Sequence, residues 1–408
     1  MHRVDQVLAL ISQIVAPLPP VAVDLPAAHG AVLAQDVSMD EDSPRFDRSQ
    51  LDGFAVRSHE ATSGATLSLA GQVDAGGKVF SDPVPPGTCV GINTGGVVPP
   101  WADAILMVEH ASREIFDGIE FVRVLQPVKP HQGIQRQGSD AKAGQVILHA
   151  GARLTPAQLA LCAAAGISTP LIRRPRVAVL STGDELVSYA TPLPLPQGKI
   201  RNSNQVMLCS LARQALGGGD SLLDLGTCPD EPTQMRRTLQ RGLAEADLLV
   251  VCGGMSMGTR DLVPPLLKDL GVDMPVEKVR IKPGKPFVLG TLDQNGRRSY
   301  VAGLPGNPVS SFVTFHRFVI PMLRQMEAAS EPPRIVRATI DRPLPANGDR
   351  EFYQPCRLTQ DQTGWRAELL NWKGSADIFT LAQASALAIQ PANMPPTDAG
   401  TTLDILML

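Results

Sequence analysis

Between Arg176 and Met326, short apolar, β-branched runs alternate with helix-patterned segments, and glycine- or proline-rich loops separate them. RVAVL reads as a strand, and Asn204–Leu216 as a helix that Ser203 can cap. SLLDLG is a second strand, followed by a helix marked by Met235, Leu239 and Leu243 at four-residue spacing. ADLLVVC is a third strand, apolar enough to be buried on both faces. LVPPLLKDLG, PFVLGTL, SYVAGL and a long helix over Val309–Met326 complete the unit. Strands alternating with helices imply a parallel sheet with right-handed crossovers.

At 408 residues the chain is too long for one core. A hydrophobic content of 43% with 19% charged residues is that of a soluble globular protein. The net charge of −3 argues against a general nucleic-acid binder. With no long apolar run and no signal-peptide pattern in MHRVDQVLAL, a cytoplasmic protein with no membrane partner is expected. Six scattered cysteines without a CxxC pair give neither a disulfide framework nor a zinc site. Outside the α/β unit, residues 4–16 are patterned as a helix ended by Pro17, Pro19 and Pro20. The pieces TLSLAGQV, TCVGIN, AILMVEH and EFVRVLQPV make 45–140 a β-rich insertion, and TPAQLALCAAAG gives a helix over 155–166. Beyond Pro332, RIVRATI, REFYQPCRL, WRAELLNW, ALAIQP and TTLDILML predict a second small β-domain.

Four loops of the α/β unit carry the chemistry, because ligands of open α/β sheets bind where strands end. In STGDEL, Ser181, Thr182 and Gly183 can turn amides toward a ligand while Asp184 and Glu185 add carboxylates. Carboxylates beside a phosphate need a cation between them, which points to Mg²⁺. A plain turn with a solvated Asp-Glu pair fits the same letters. In GGMSMGTRD, Gly253, Gly254 and Gly258 permit close backbone approach and Ser256 offers a hydroxyl. Asp261 is placed to cap the helix beginning near Leu262. EKVRIKPGKP concentrates Lys278, Arg280, Lys282 and Lys285, a cationic focus for small anions or else a solvated edge strand. GLPGNP exposes amides at a helix start, an anion-favouring position, or is only a rigid turn. No GxxxxGK[ST] or GxGxxG is present, so ATPase and dinucleotide readings lose their support. Asp52 and Asp140 lie outside this unit and read as turn aspartates.

The motifs FDRSQLDGFAVR, NTGG, ADAILMVE, GSDAKAG, STGDEL, IRNSN, GGMSMGTRD, KPGKPF and GLPGNPVSSFVTF occur in an order that resembles the molybdopterin molybdenumtransferases, the gephyrin-type molybdenum-insertion enzymes. The resemblance implies an α/β multidomain subunit acting as a homodimer. Its parts would be a discontinuous N-terminal domain of 1–44 and 141–172, a β-rich insertion domain of 45–140, a parallel-sheet α/β molybdopterin-binding domain of 173–326 and a C-terminal β-barrel of 327–408. It also implies insertion of molybdenum from molybdate into adenylylated molybdopterin, with Mg²⁺ and release of AMP. A molybdopterin adenylyltransferase would donate the substrate, and the active site would lie at the subunit interface. Motif matching carries family roles onto Asp52, Thr94, Asp140, Glu185, Asp230, Asp261, Lys278, Lys282 and Lys285. Ser310, Arg350 and Ser375 match positions linked to oxyanion binding. Thr259, Trp101 and Gln354 depart from the family pattern, where an aspartate, a glycine and an arginine are usual.

On this reading Glu185 and Asp261, with Asp230, hold Mg²⁺ against the pyrophosphate. Lys282, Lys285 and Ser310 hold oxyanion oxygens, and Thr182, Gly183 and Ser256 grip the pterin or its phosphate. Asp52 and Asp140 orient water or close the cleft. The competing expectations are a non-catalytic molybdopterin carrier or scaffold, and an unrelated nucleotide hydrolase.

Overall fold

The computed structural model describes all residues except 78, 219, 220, 256–260, 333 and 363. It divides into two compact units. One contains Met1–Gln35, Ala150–Ala160 and Ser168–Leu408; the other contains Asp36–His149 and Leu161–Ile167.

The larger unit is built on a six-stranded sheet in the order Leu222–Cys228, Val177–Thr182, Leu248–Cys252, Arg297–Leu304, Val288–Gln294, Asp273–Val276. The first four strands are parallel. All five residues of Leu248–Cys252 are buried, as its composition requires. Alternation then divides them: Val177, Val179, Leu248 and Val250 pack with Leu208, Ala212 and Val313. Ala178, Leu180, Leu249 and Val251 pack against Met235, Leu239, Leu243 and Leu267 from the opposite side. Helices Ser203–Ala215 and Pro232–Glu245 supply the two covering layers.

The sheet is not parallel throughout, which corrects the expectation from alternation. Val288–Gln294 pairs antiparallel with Arg297–Leu304 as a hairpin. Its turn is Asn295-Gly296, at φ 52° and 74°, the two-residue chemistry whose positive φ values match strand twist. Two helix ends also differ. Asn202, not Ser203, caps the first covering helix by accepting from the Gln205 amide at 3.0 Å. Leu262 stands at the N-cap of Val263–Asp269, one residue after the Asp261 expected there. The long C-terminal helix is interrupted. It runs Pro308–Thr314, widens to a π-turn over Phe315–Val319 and resumes as Ile320–Glu327. Pro321 brings no N–H and crowds the preceding turn, and a wider turn relieves both.

Two further parts attach to this core. The amphipathic helix Val4–Ile14 buries Val4, Val7 and Ile11 in it. Its end is satisfied by Tyr300, whose buried hydroxyl donates to the Ile14 carbonyl at 3.2 Å and accepts from the Ala16 amide at 2.9 Å. Downstream, five strands close into a barrel: Ile335–Ile340, Gly364–Leu369, Glu351–Asp361, Ala386–Gln390 and Thr402–Met407. The short strand Ile281–Lys282 adds to it, parallel to the start of Glu351–Asp361.

The smaller unit holds a second six-stranded sheet in the order Ala104–Met107, Gly53–Val56, Thr88–Ile92, Thr66–Val73, Ile119–Val124, Ala111–Phe116. Phe54, Val56, Leu106 and Val122 fill one face; Ala55, Val90, Ile92 and Ile105 fill the other. Among the described residues no helix is long and apolar enough to cross a membrane.

One buried ion pair ties Arg153 to the end of the long helix. Its guanidinium meets Glu327 at 2.7 Å and Glu331 at 3.1 Å, and Glu327 is only 1% exposed. Burial raises the Glu327 carboxyl above its ordinary value, and Arg153 opposes that shift. Removing one partner of such a pair costs about 3–5 kcal/mol. Arg153→Met should therefore destabilise the protein by roughly that amount near neutral pH. Without the guanidinium the folded Glu327 pKa rises further, so the loss grows as pH rises from the unfolded value toward the folded one. Denaturant unfolding at pH 5 and pH 8 tests this; equal losses at both would contradict it.

Candidate functional site

Three parallel strands deliver their ends to one place. The Gly253 amide, just past Leu248–Cys252, donates to the Leu304 carbonyl at 3.2 Å. A Cβ on Gly253 would lie 2.5 Å from the Thr182 carbonyl. Asn204 fastens the same edge, its amide nitrogen donating to the Gly306 carbonyl at 2.6 Å and to the Cys252 sulfur at 3.4 Å. Two polar atoms there, Thr182 Oγ1 and Asn204 Oδ1, are buried without a hydrogen-bond partner among the described residues. Unpaired buried groups are costly, and such a pair is what a polar ligand would satisfy. Thr182 was expected here; Asn204 was not, although IRNSN drew attention to its segment.

The STGDEL loop is arranged differently from expectation. The Gly183 amide is occupied by the Cys228 carbonyl at 3.2 Å, so it is not turned to a ligand. What Gly183 supplies is space. Its φ is 147°, and a Cβ would lie 2.5 Å from a carboxylate oxygen of Glu185, which folds back over it. Asp184 accepts from the Asp230 amide at 3.0 Å. The Asp230 carboxyl is raised by burial and by the charges of Asp184, Glu185 and Asp261. Four carboxylates therefore share one neighbourhood. Among the described residues, however, no three His, Cys, Asp or Glu side chains gather closely enough to hold a metal ion. Mg²⁺ commonly binds through one or two carboxylates and the substrate's phosphates, and this donor set fits that mode. Ser256 and Thr259 lie outside the described residues.

The basic segment has a second anchor. His2 bridges Val279, and Lys278 accepts from the His2 amide through its carbonyl at 3.1 Å. Val279 and Ile281 are buried while Arg280 and Lys282 are exposed, the two-residue alternation of an extended segment. The Val279 amide donates to the Lys285 carbonyl at 3.0 Å and closes the KPGKP loop. Gly284 lets that loop touch the next helix: at φ 119°, a Cβ would lie 2.5 Å from Thr314. Ser310 is buried one turn earlier, its carbonyl accepting from the Thr314 hydroxyl at 2.8 Å. Ser375 comes to the same helix start, where its carbonyl accepts from the Val309 amide at 3.0 Å. That bond occupies an amide expected to face an anion.

Lys282 lies opposite Phe352 in the strand pairing, two residues beyond Arg350. Arg350 is half-buried and accepts through its carbonyl from Asn347 at 2.7 Å. The segments bearing Lys282, Lys285, Ser310, Arg350 and Ser375 thus abut. Gln354 faces inward, donating to the Leu370 carbonyl at 2.6 Å and accepting from the Trp372 indole at 2.9 Å.

In the smaller unit two expected residues meet directly. Asp52 accepts from the Thr94 amide at 2.6 Å and from its hydroxyl at 2.9 Å. Those bonds hold the Asp52 carboxyl below the ordinary range. Asp140 accepts from Gln135 at 2.8 Å, and Gln135 in turn accepts from Arg48 at 2.9 Å. Trp101 is half-buried, with the Arg57 guanidinium 5.0 Å from its ring centroid.

Comparison with known proteins covers nearly the whole chain. Residues 2–166 match the family described as "MoeA N-terminal region (domain I and II)", 178–325 "Probable molybdopterin binding domain", and 337–408 "MoeA C-terminal region (domain IV)". The chain is 31% identical to a molybdopterin molybdenumtransferase of Haemophilus influenzae, over 99% of this chain and 98% of that one. It is 33% identical to molybdopterin molybdenumtransferase 2 of Mycobacterium tuberculosis, over 99% of both chains. A crystal structure of a molybdopterin biosynthesis moeA protein from Pyrococcus horikoshii superimposes with a TM-score of 0.80 at 26% identity, covering 100% of both chains.

The Asp52–Thr94 contact generates a direct test. Thr94→Val removes one of two bonds to the carboxylate, so the Asp52 pKa should rise toward its ordinary value while the remaining amide keeps part of the depression. Carbon NMR titration of Asp52 reads this; an unchanged midpoint would show that the hydroxyl bond does not exist in solution.

Proposed function

The chain belongs to the molybdopterin molybdenumtransferase family, transferases of molybdenum cofactor biosynthesis, and from that membership we propose that it inserts molybdenum from molybdate into adenylylated molybdopterin, with Mg²⁺, releasing AMP. The observation that carries this reading is the gathering of acidic side chains at the strand ends, where Asp184 accepts from the Asp230 amide at 3.0 Å and the Glu185 carboxylate folds over Gly183, beside the unpartnered oxygens of Thr182 and Asn204. Pure binding of an anionic pterin would be hindered by Asp184, Glu185, Asp230 and Asp261, whereas a cation lying between them and a pyrophosphate turns their repulsion into a site.

The reading divides the labour among the side chains. Thr182 and Asn204 offer the pterin two buried polar atoms; the hydroxyl that the sequence assigns to this grip, that of Ser256, lies outside the described residues. Glu185 and Asp261, with Asp230 beside them, hold Mg²⁺ against the pyrophosphate. When bound there, Mg²⁺ neutralises charge developing on the phosphoryl oxygens and polarises them. Lys282 and Lys285 act as compact cations on molybdate oxygens, with Ser310, Ser375 and Arg350 around them and Lys278 nearby. Asp52, kept ionised by Thr94, orients water or closes the cleft rather than acting as a strong base. Asp140 shares that role.

The same reading includes a homodimer in which the β-rich insertion of one subunit completes the cleft of another, and a molybdopterin adenylyltransferase as substrate donor. Residues 1–44 with 141–172, 45–140, 173–326 and 327–408 are its domains, and the cytoplasm its compartment.

The decisive assay combines the protein with adenylylated molybdopterin, Mg²⁺ and molybdate, following AMP release and molybdenum incorporation together. Glu185→Gln and Asp261→Asn should each lower AMP release by about 10²-fold or more, the order expected for loss of a charge-stabilising group, and leave pterin binding largely intact. Wild-type rates in both variants would overturn the metal assignment. Millimolar Mg²⁺ should also lower the Asp230 pKa, because a cation favours its ionised form. An unmoved titration in the presence of substrate pyrophosphate would count against the site.

A further inference from the structure

The barrel gives Lys282 an aromatic seat. Parallel pairing sets Lys282 opposite Phe352, and its ammonium lies 4.9 Å from the centroid of the Phe352 ring. A cation within about 6 Å of an aromatic face is attracted by the ring quadrupole. Phe352 is itself backed by Trp372, with centroids 5.9 Å apart and planes at 29°. The Trp372 indole donates to Gln354 Oε1 at 2.9 Å, and Gln354 Nε2 donates to the Leu370 carbonyl at 2.6 Å. Gln354 is 6% exposed, so this chain of contacts starts inside the barrel and ends at the ammonium.

The chemistry of each link is specific. A lysine side chain on its four-carbon stem carries about 2 kcal/mol of rotamer entropy, so an unguided ammonium spends little time in one place. A carboxylate partner would guide it but cancel its charge. An aromatic face guides it and leaves the charge available to an oxyanion. Gln354 is matched to this task, because it must accept the indole N–H and donate to a carbonyl at once. An arginine at this position would offer no acceptor and could not hold Trp372 in that way.

We propose that Phe352 and Trp372, fixed by Gln354, are positioning residues that orient the Lys282 ammonium toward a tetrahedral oxyanion. The proposal rests on the oxyanion role of Lys282 stated above. It makes the barrel a determinant of oxyanion affinity, through a ring that contacts no substrate atom.

Two readouts test it, one independent of turnover. Reductive methylation with ¹³C-formaldehyde labels the lysines of the whole protein, and Lys282→Arg assigns the Lys282 resonance. Over an aromatic face that resonance is displaced upfield. Phe352→Leu should abolish the displacement and Phe352→Tyr should keep it. With saturating adenylylated molybdopterin and varied molybdate, Phe352→Leu should raise the molybdate KM about five- to tenfold. The effect should fall on KM rather than on kcat, and Phe352→Tyr should restore the wild-type value. Trp372→Leu, which removes the backing ring, should act in the same direction and serves if Phe352→Leu does not fold. An undisplaced Lys282 resonance in the wild type overturns the seat. So does a normal molybdate KM in Phe352→Leu when Lys282→Ala raises it. A normal molybdate KM in Lys282→Ala removes the oxyanion role itself, and the proposal with it.

Discussion

Backbone contact between parallel strand ends is the constraint from which the site of the larger unit follows. Thr182 and Gly253 can meet only because Gly253 lacks a Cβ, which would lie 2.5 Å from the Thr182 carbonyl, and because four neighbouring strands point the same way. Parallel strands present their ends together, and hydrophobic burial on both faces leaves that edge as the place for polar chemistry. The orphaned oxygens of Thr182 and Asn204 and the crowded carboxylates near Asp230 are located by that geometry. Stability and chemistry are therefore divided: Val250 and Leu249 hold the sheet, and the residues just beyond Cys252 are left to bind.

A second constraint joins the barrel to this edge. The chain leaves the sheet after Asp273–Val276, is bridged by His2, pairs with the barrel at Ile281–Lys282 and turns back at Gly284 against the helix of Ser310. Each step is a backbone hydrogen bond or a close approach, so the lysines are carried on a path fixed at several points. Their ammonium groups are free to act because the scaffold holds their backbone.

Much of this was legible in the chain, for identifiable reasons. ADLLVVC could only be a doubly buried strand, and Met235, Leu239 and Leu243 could only be one helix face. The hairpin at Asn295-Gly296 was equally legible from turn chemistry, but alternation of strands and helices outweighed it and predicted a parallel strand. Ser203 and Asn202 are both good caps, so their one-residue ambiguity is local and was settled by the Gln205 amide. The amides of Gly183 and Val309 were expected to face a ligand, yet carbonyls from Cys228 and Ser375 take them. Such partners are distant in sequence and leave no periodic trace. The same holds for Asp52 and Thr94, brought together across 42 residues, which motif order linked and spacing did not. The seat of Lys282 on Phe352 depends on a strand pairing that no local pattern announces.

The central claim is that loops from the sheet and an edge of the barrel form one oxyanion seat. Anomalous diffraction at the molybdenum absorption edge, from crystals soaked in molybdate, tests it most directly. The expected result is a peak bounded by Lys282, Lys285, Ser310 and Ser375. A molybdenum peak confined to other basic residues, with none at this junction, would contradict it.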